Sequence, residues 1–459
     1  MLASAPSRSF AKIAKDLSTN SITIDPSKCV GCGVCVKTCK TVAGQGVLAL
    51  VDVNGKKRIG TANGKPLQES TCVKCGQCTL VCKPSALSEK DQISEVEKVL
   101  NNPNGKVAVC QTAPAIRINL SDALGLPAGT ISTGKMVSAL RKLGFKYVFD
   151  TNYSADLTIM EEATEFVSRL TKGTGPLPMF TSCCPAWVNY VEQSDPDLIP
   201  NLSTCRSPLG MLSSITHFDF AKRKGIEGKV FNVAIMPCTA KKDEIERPQF
   251  STKGFKETDY VITTRELMRM IKKHKIDFKN LPDSEFDVPF SEASGAGAIF
   301  CGSGGVMEAA VRTAYNIVTG KELPGTDLVA VRGHKDGIKV ASVDIEGTKV
   351  GVAVAQGIAN AMKLIKMIKD KDPKVADVKF VEVMACPGGC VCGGGSTKAK
   401  TKKATDARVD AVYKIDTQSK VRCSHQNQQL KELYDRLLEK PNSHLAHELL
   451  HTHYTNKKK

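Results

Sequence analysis

The chain contains eighteen cysteines, and eight of them fall into two groups with one spacing. Cys29, Cys32, Cys35 and Cys39 read C-x2-C-x2-C-x3-C, and Cys72, Cys75, Cys78 and Cys82 repeat it. Loops with two residues between thiolates wrap three ligands around one iron–sulfur cubane, and the fourth cysteine crosses to a second cluster. The spacing predicts two four-iron, electron-carrying sites: Cys29, Cys32, Cys35 with Cys82, and Cys72, Cys75, Cys78 with Cys39. A zinc ribbon is the structural alternative, but it needs pairs of cysteines and not quartets.

Four more motifs carry cysteine: "TSCCPAW" (181–187), "MPCTAKKDE" (236–244), "IFCGSGGVMEAA" (299–310) and "MACPGGCVCGGG" (384–395). Cys184, Cys238, Cys386 and Cys390 can supply four thiolates from three strand ends. One buried free cysteine is ordinary packing; several in Pro/Gly settings after strands are not. If Cys184 ligates, its neighbour Cys183 is a free thiol able to pass a proton. Lys241 is either a solvated lysine or an ammonium turned to a ligand, with Glu244 as its partner. Met236 and Met384 either fill core or lay soft side chains on a cofactor. The "CGSGG" turn opens a helix whose N–H groups can face an anionic group.

"SADLTIMEEATEFVSRL" places Glu162, Glu165 and Arg169 on one helical face. That face is either solvated, with a Glu165–Arg169 pair, or a proton path. "HELLH" (447–451) has the form of a zinc-protease motif. No sizeable domain follows it to build a cleft, and with His444 and His453 it reads as a general histidine stripe. Cys205, Cys392 and Cys423 are expected to be unligated.

These residues need elements to hold them. Strand-like runs "KVAVCQT", "KYVFDT", "FNVAIMPC" and "VKFVEVMAC" alternate with amphipathic helices, which argues for α/β architecture with parallel sheets. Ligands in such sheets gather at the carboxyl ends of strands. The expected fold is an α/β catalytic domain of two lobes with parallel sheets (105–395), preceded by a small α+β bacterial-type ferredoxin domain (19–98). A helical, polar C-terminal wrap (396–459) follows. Residues 1–18 carry Arg8, Lys12 and Lys15 and no acid before Asp16, as an organellar presequence or a disordered N-terminus would. No run of 18 apolar residues predicts a membrane span. The net charge of +17 comes with no nucleic-acid recognition motif and suits a small acidic protein partner. Clustered cysteines favour metal ligation in a reducing compartment over disulfides.

Taken together, "TSCCPAW", "MPCTAKKDE" and "MACPGGCVCGGG" resemble the signatures of the di-iron (FeFe) hydrogenases, a resemblance that runs from about residue 22 to the C-terminus. It implies an H-cluster: a four-iron cubane on Cys184, Cys238, Cys386 and Cys390, with Cys390 bridging to a di-iron unit that carries carbon monoxide, cyanide and azadithiolate. Lys241, Met236, Met384, Ser207, Pro237 and Glu244 would contact this cofactor. Arg169, Glu165, Ser203, Glu162 and Cys183 would form the proton relay, in that order from the surface. The implied activity is reversible reduction of protons to hydrogen with electrons from reduced ferredoxin, after cofactor insertion by maturation proteins in trans. The leader resembles the presequences of hydrogenosomal proteins in anaerobic protists such as trichomonads, which implies the hydrogenosome matrix, with the cytoplasm as the alternative. Two other readings stay open: a non-enzymatic relative (assembly factor or hydrogen sensor), and a subunit of an NADH-linked complex. The chain departs from the family pattern at Leu209, where relatives often carry glutamine, at "CGSGG" and at "GGGSTK".

Overall fold

The computed structural model describes residues 14–252 and 254–458. Of the leader expected at 1–18, residues 1–13 lie outside this range. Residues 16–18 are already tied to the small domain. Asp16 bridges Ile24, its carboxylate accepts the Leu67 N–H at 2.7 Å, and the Ser18 hydroxyl accepts the Gln68 N–H at 3.1 Å.

The small domain has four short strands: β1 (Ile22–Ile24), β2 (Leu48–Val53), β3 (Lys56–Thr61) and β4 (Leu87–Glu89). β1 pairs β4 and β2 pairs β3, both antiparallel. Two short helices, Val34–Thr41 and Gln77–Val81, carry cysteines against a core of Ile22, Ile24, Leu48, Ile59 and Leu87.

The catalytic domain holds β5 (Val107–Thr112), β6 (Tyr147–Asp150), β7 (Met179–Phe180), β8 (Val230–Met236) and a minor hairpin of β9 (Ser251–Thr252) and β10 (Phe255–Lys256). β11 (Tyr260–Thr263), β12 (Ile338–Ile345), β13 (Thr348–Gln356) and β14 (Val378–Met384) complete it. One sheet runs β11-β8-β5-β6 and is parallel throughout. Its strand β8 is buried along its whole length, as expected of a parallel sheet covered on both faces. The second sheet runs β12-β13-β14-β7. It is parallel except at its edge, where β12 and β13 are antiparallel. The two-residue turn Glu346–Gly347 joins them, and so short a connection cannot cross over to a parallel partner. All four strand runs named from the sequence are strands, and each sheet anchors one lobe.

The helix Thr151–Lys172 starts under the Asp150 cap and ends at Gly173 in the left-handed conformation. It is not a solvated helix. Glu161, Glu162, Glu165 and Arg169 are all buried, and its apolar residues enter two different cores. The C-terminal segment wraps both lobes with helices Lys402–Gln418, Gln428–Leu433 and His444–Leu450. Ion pairs fasten it: Arg408 to Asp122 and the fully buried Asp416 to Arg312, with the exposed Arg436 reaching the buried Asp219. Among the described residues, no helix is long and apolar enough to cross a membrane.

Candidate active site

The carboxyl ends of β5, β7, β8 and β14 converge on a cavity of about 790 Å³ between the two sheets. Nine of the residues expected at the catalytic cofactor line it: Cys183, Cys184, Cys238, Cys386, Cys390, Lys241, Met236, Pro237 and Met384. Withdrawal from solvent pushes the four candidate ligand thiols up, Cys238 to about 12. Each also repels its neighbours' thiolates: Cys184 acts on Cys238, and both act on Cys386 and Cys390. Backbone N–H groups counter this. Those of Ala385, Trp187 and Ala186 reach Cys184, those of Lys241 and Ala240 reach Cys238, and that of Gly394 reaches Cys386. Four converging thiols supplied with N–H donors, whose thiolates repel one another unless a cation lies among them, fit an iron–sulfur cubane.

Lys241 sits at the rim, with its ammonium 2.7 Å from Glu244 and donating to the Cys183 carbonyl at 3.2 Å. Burial alone would lower it, but Glu244 holds it above its ordinary value, so a cation faces the cavity. Glu244 itself acts through Lys241 and does not line the space.

In the small domain Cys39 joins Cys72, Cys75 and Cys78 around a second cavity of about 400 Å³. Burial pushes Cys35 up to about 11, and its next largest influence is Cys82, followed by Cys29 and Cys32. Cys39 thus shares a cavity with the second group of cysteines, and Cys35 lies within electrostatic reach of Cys82, Cys29 and Cys32. Cys75 lines both cavities and sits between them.

A chain of polar residues leads away from Cys183. Glu162 is completely buried and neither of its oxygens has a hydrogen-bond partner. Burial pushes it up to about 8, with Ser203 and the Ser182 N–H as the nearest groups that oppose this. Cys183 lies close enough for the Glu162 charge to raise its already buried thiol. The Ser203 hydroxyl donates to Glu165 at 3.1 Å, and Arg169 donates to the other Glu165 oxygen at 2.6 Å. Arg169, Glu165 and Ser203 are thus joined by hydrogen bonds. Glu162 and Cys183 stand in line beyond them, a carboxylic acid that burial keeps protonated into the neutral range and a thiol that burial keeps protonated.

Three family models match the chain that builds this cysteine-lined pocket. "Iron only hydrogenase large subunit, C-terminal domain" matches residues 106–394, "Iron hydrogenase small subunit" matches 402–457 and "4Fe-4S dicluster domain" matches 28–86. The chain belongs to the iron-only hydrogenases. It is 43% identical to iron hydrogenase 1 of Clostridium pasteurianum, over 96% of this chain and 76% of that one. It is also 43% identical to the NADP-reducing hydrogenase subunit HndD of Solidesulfovibrio fructosivorans, over 96% and 75%. The solved apo form of the FeFe-hydrogenase HydA1 from Chlamydomonas reinhardtii superposes with a TM-score of 0.72 at 39% identity, covering 80% of this chain and all of that one.

Several expectations for this hydrogenase need correction. The helix opened by "CGSGG", Gly305–Thr319, does not offer its N-terminus to the cavity. The buried Glu382 carboxylate occupies it, accepting from the Gly304 and Met307 N–H groups at 2.7 Å each. Ser207 does not line the cavity. Its hydroxyl caps helix Pro208–Ile215 by accepting the Gly210 N–H. In "HELLH", read above as a general histidine stripe, the rings of His447 and His451 are tilted by 39° with centroids 4.0 Å apart. His451 bonds Thr204 Oγ1 at 2.7 Å, and that hydroxyl donates to the relay carboxylate Glu165 at 3.1 Å.

Other residues of the hydrogenase pocket went unnamed from the sequence. Ala113 and Pro114 line it after β5 and Thr151 after β6, while Phe300 and Cys301 bring in the "IFCGSGGVMEAA" motif, whose cysteine had been given no role. "QTAPAIR" was readable as a strand running into proline, the cue that found the cysteine motifs. Thr204 carried no such signal, because its role depends on a partner 247 residues away. Leu209 lines the cavity, so that departure from the family pattern faces the cofactor space.

Proposed function

We propose that this hydrogenase reversibly reduces protons to molecular hydrogen with electrons from reduced ferredoxin, passed through two four-iron clusters in the small domain. The observation that carries the reading is the meeting of Cys184, Cys238, Cys386 and Cys390 on one cavity, with the Cys183 thiol beside them. When bound, the di-iron unit with its carbon monoxide, cyanide and azadithiolate ligands supplies the open metal site and the base at which hydrogen is made or split. The chain's residues do the rest. Cys390 would be the ligand shared with the di-iron unit, and the Lys241 ammonium, kept charged by Glu244, would face its cyanide. Met236, Met384, Pro237 and Leu209 keep water from the space. Cys183 would hold the proton nearest the cofactor space, and Glu162 would resupply it, through Ser203 and Glu165 from the Arg169 end.

Electron entry through the small domain is supported by its exposed Cys32, flanked by the exposed apolar residues Val30 and Val34. Lys28 and Lys57 have mostly exposed side chains on the same domain, the kind of surface an acidic carrier meets. The test is hydrogen evolution by matured protein supplied with reduced ferredoxin. Infrared bands of bound carbon monoxide and cyanide should be present; a matured protein without them overturns the reading.

A second reading has specific support in the resemblance to the NADP-reducing subunit HndD. It predicts a co-purifying flavoprotein and hydrogen evolution from NADPH in its presence. The composition of residues 1–15 supports import into a hydrogenosome, and N-terminal sequencing of the organellar protein would show the leader removed.

A further inference from the structure

The small domain touches the catalytic cavity at one place. Thr239, the residue after Cys238, donates its hydroxyl to the Lys74 carbonyl at 2.7 Å, just before Cys75. Gly394 packs backbone to backbone on Cys75 and Gly76, and a Cβ there would lie 2.0 Å from the Cys75 carbonyl oxygen. Gly76 in turn has a φ of +70°, and a Cβ on it would strike Thr239. The contact is thus as close as two backbones permit, and the thiolates of Cys75 and Cys386 influence one another across it.

Into this seam the helix Gln77–Val81 inserts its first residue. Gln77 is buried, and its amide nitrogen donates to the Cys392 carbonyl at 3.2 Å. The Gln77 side chain also lies near enough to Cys386 to oppose the rise that burial gives its thiol. A glutamine amide has two N–H donors, so both acceptors can be served at once.

We propose that Gln77 is a positioning and tuning residue for electron transfer. Its amide N–H donates to the Cys386 sulfur, and so the electron-carrying domain sets the reduction potential of the catalytic cubane. The inference rests on the reading that Cys386 ligates that cubane. A hydrogen bond to a ligand thiolate stabilises the more negative, reduced cluster and raises its potential. A neutral amide does this without titrating, and it ties the tuning to the docking of the domain that delivers the electron.

The test uses the full-length chain loaded with its iron–sulfur cubanes. Iron content is measured first, and each midpoint is then taken by electron paramagnetic resonance during redox titration. In Gln77→Leu, with full iron content, the reduced-to-oxidised ratio of the catalytic cubane at fixed potential should fall roughly tenfold, about 59 mV for one electron. In Gln77→Glu the drop should be as large at high pH and should recover in acid, where a protonated carboxyl donates again. A space-filling role alone gives no such recovery. An unchanged catalytic midpoint in Gln77→Leu at full iron content overturns the proposal. Full iron content in Cys386→Ala would instead overturn the ligand reading on which it rests.

Discussion

Cys183 and Glu162 show how much chemistry depends on burial. In Cys183→Ala the pocket keeps its four candidate ligands, so iron content should stay at the parent level. Hydrogen evolution should fall by about 10²–10⁴-fold, the usual worth of a positioned proton donor. An activity within threefold of the parent would remove Cys183 from the path. Glu162 makes a prediction about stability. Its folded value is raised to about 8 from an ordinary 4.5. Between those values the native chain holds a proton that the unfolded chain has lost, so this group's stabilisation is complete in acid and fades as pH rises toward 8. The slope it adds is at most about 1.4 kcal/mol per pH unit. Urea denaturation of Glu162→Gln from pH 5 to 8 should show that slope removed, and an unchanged slope would show that Glu162 ionises normally.

Strand ends made the site legible. The sequence periodicity identified β5, β6, β8 and β14, and the Cys, Pro or Gly after three of them marked the crevice. The two cysteine quartets were legible for a related reason, since their ligands are held by local loops and hardly depend on the rest of the fold. What stayed hidden was long-range. The face of helix Thr151–Lys172 looks amphipathic because buried carboxylates and arginines are as polar in sequence as exposed ones. Only its partners distinguish them: Tyr434 and His451 on Glu161, Thr204 on Glu165. The N-terminus of helix Gly305–Thr319 was misjudged for the same reason, because Glu382 comes from a strand 78 residues away. That pairing gives an element-scale prediction. Glu382→Ala leaves two buried N–H groups without an acceptor and should cost about 2–4 kcal/mol in chemical denaturation. Glu382→Gln keeps one acceptor and should recover at least half of that loss.

For the whole molecule, charge decides which partner it meets and how fast. A carrier docking on the small domain must approach a chain of net charge +17. Hydrogen evolution driven by reduced ferredoxin should therefore slow as salt rises from 0.05 to 0.5 M, because screening shortens the reach of the field. The double variant Lys28→Glu, Lys57→Glu should raise the KM for ferredoxin several-fold. With a small artificial reductant the rate should be unchanged, and if both donors suffer equally the two lysines serve stability and not docking.

The bond between Thr204 and His451 also bears on how the enzyme is made. All twelve cysteines proposed to hold iron lie at or before residue 390, so a ribosome has synthesised every one of them before it reaches His451. His451 bonds Thr204, whose hydroxyl donates to the Glu165 carboxylate. A chain cut short between those points would keep every proposed metal ligand and lose this support of the proposed proton relay. Iron content alone would then pass as finished a protein whose proposed relay lacks a partner.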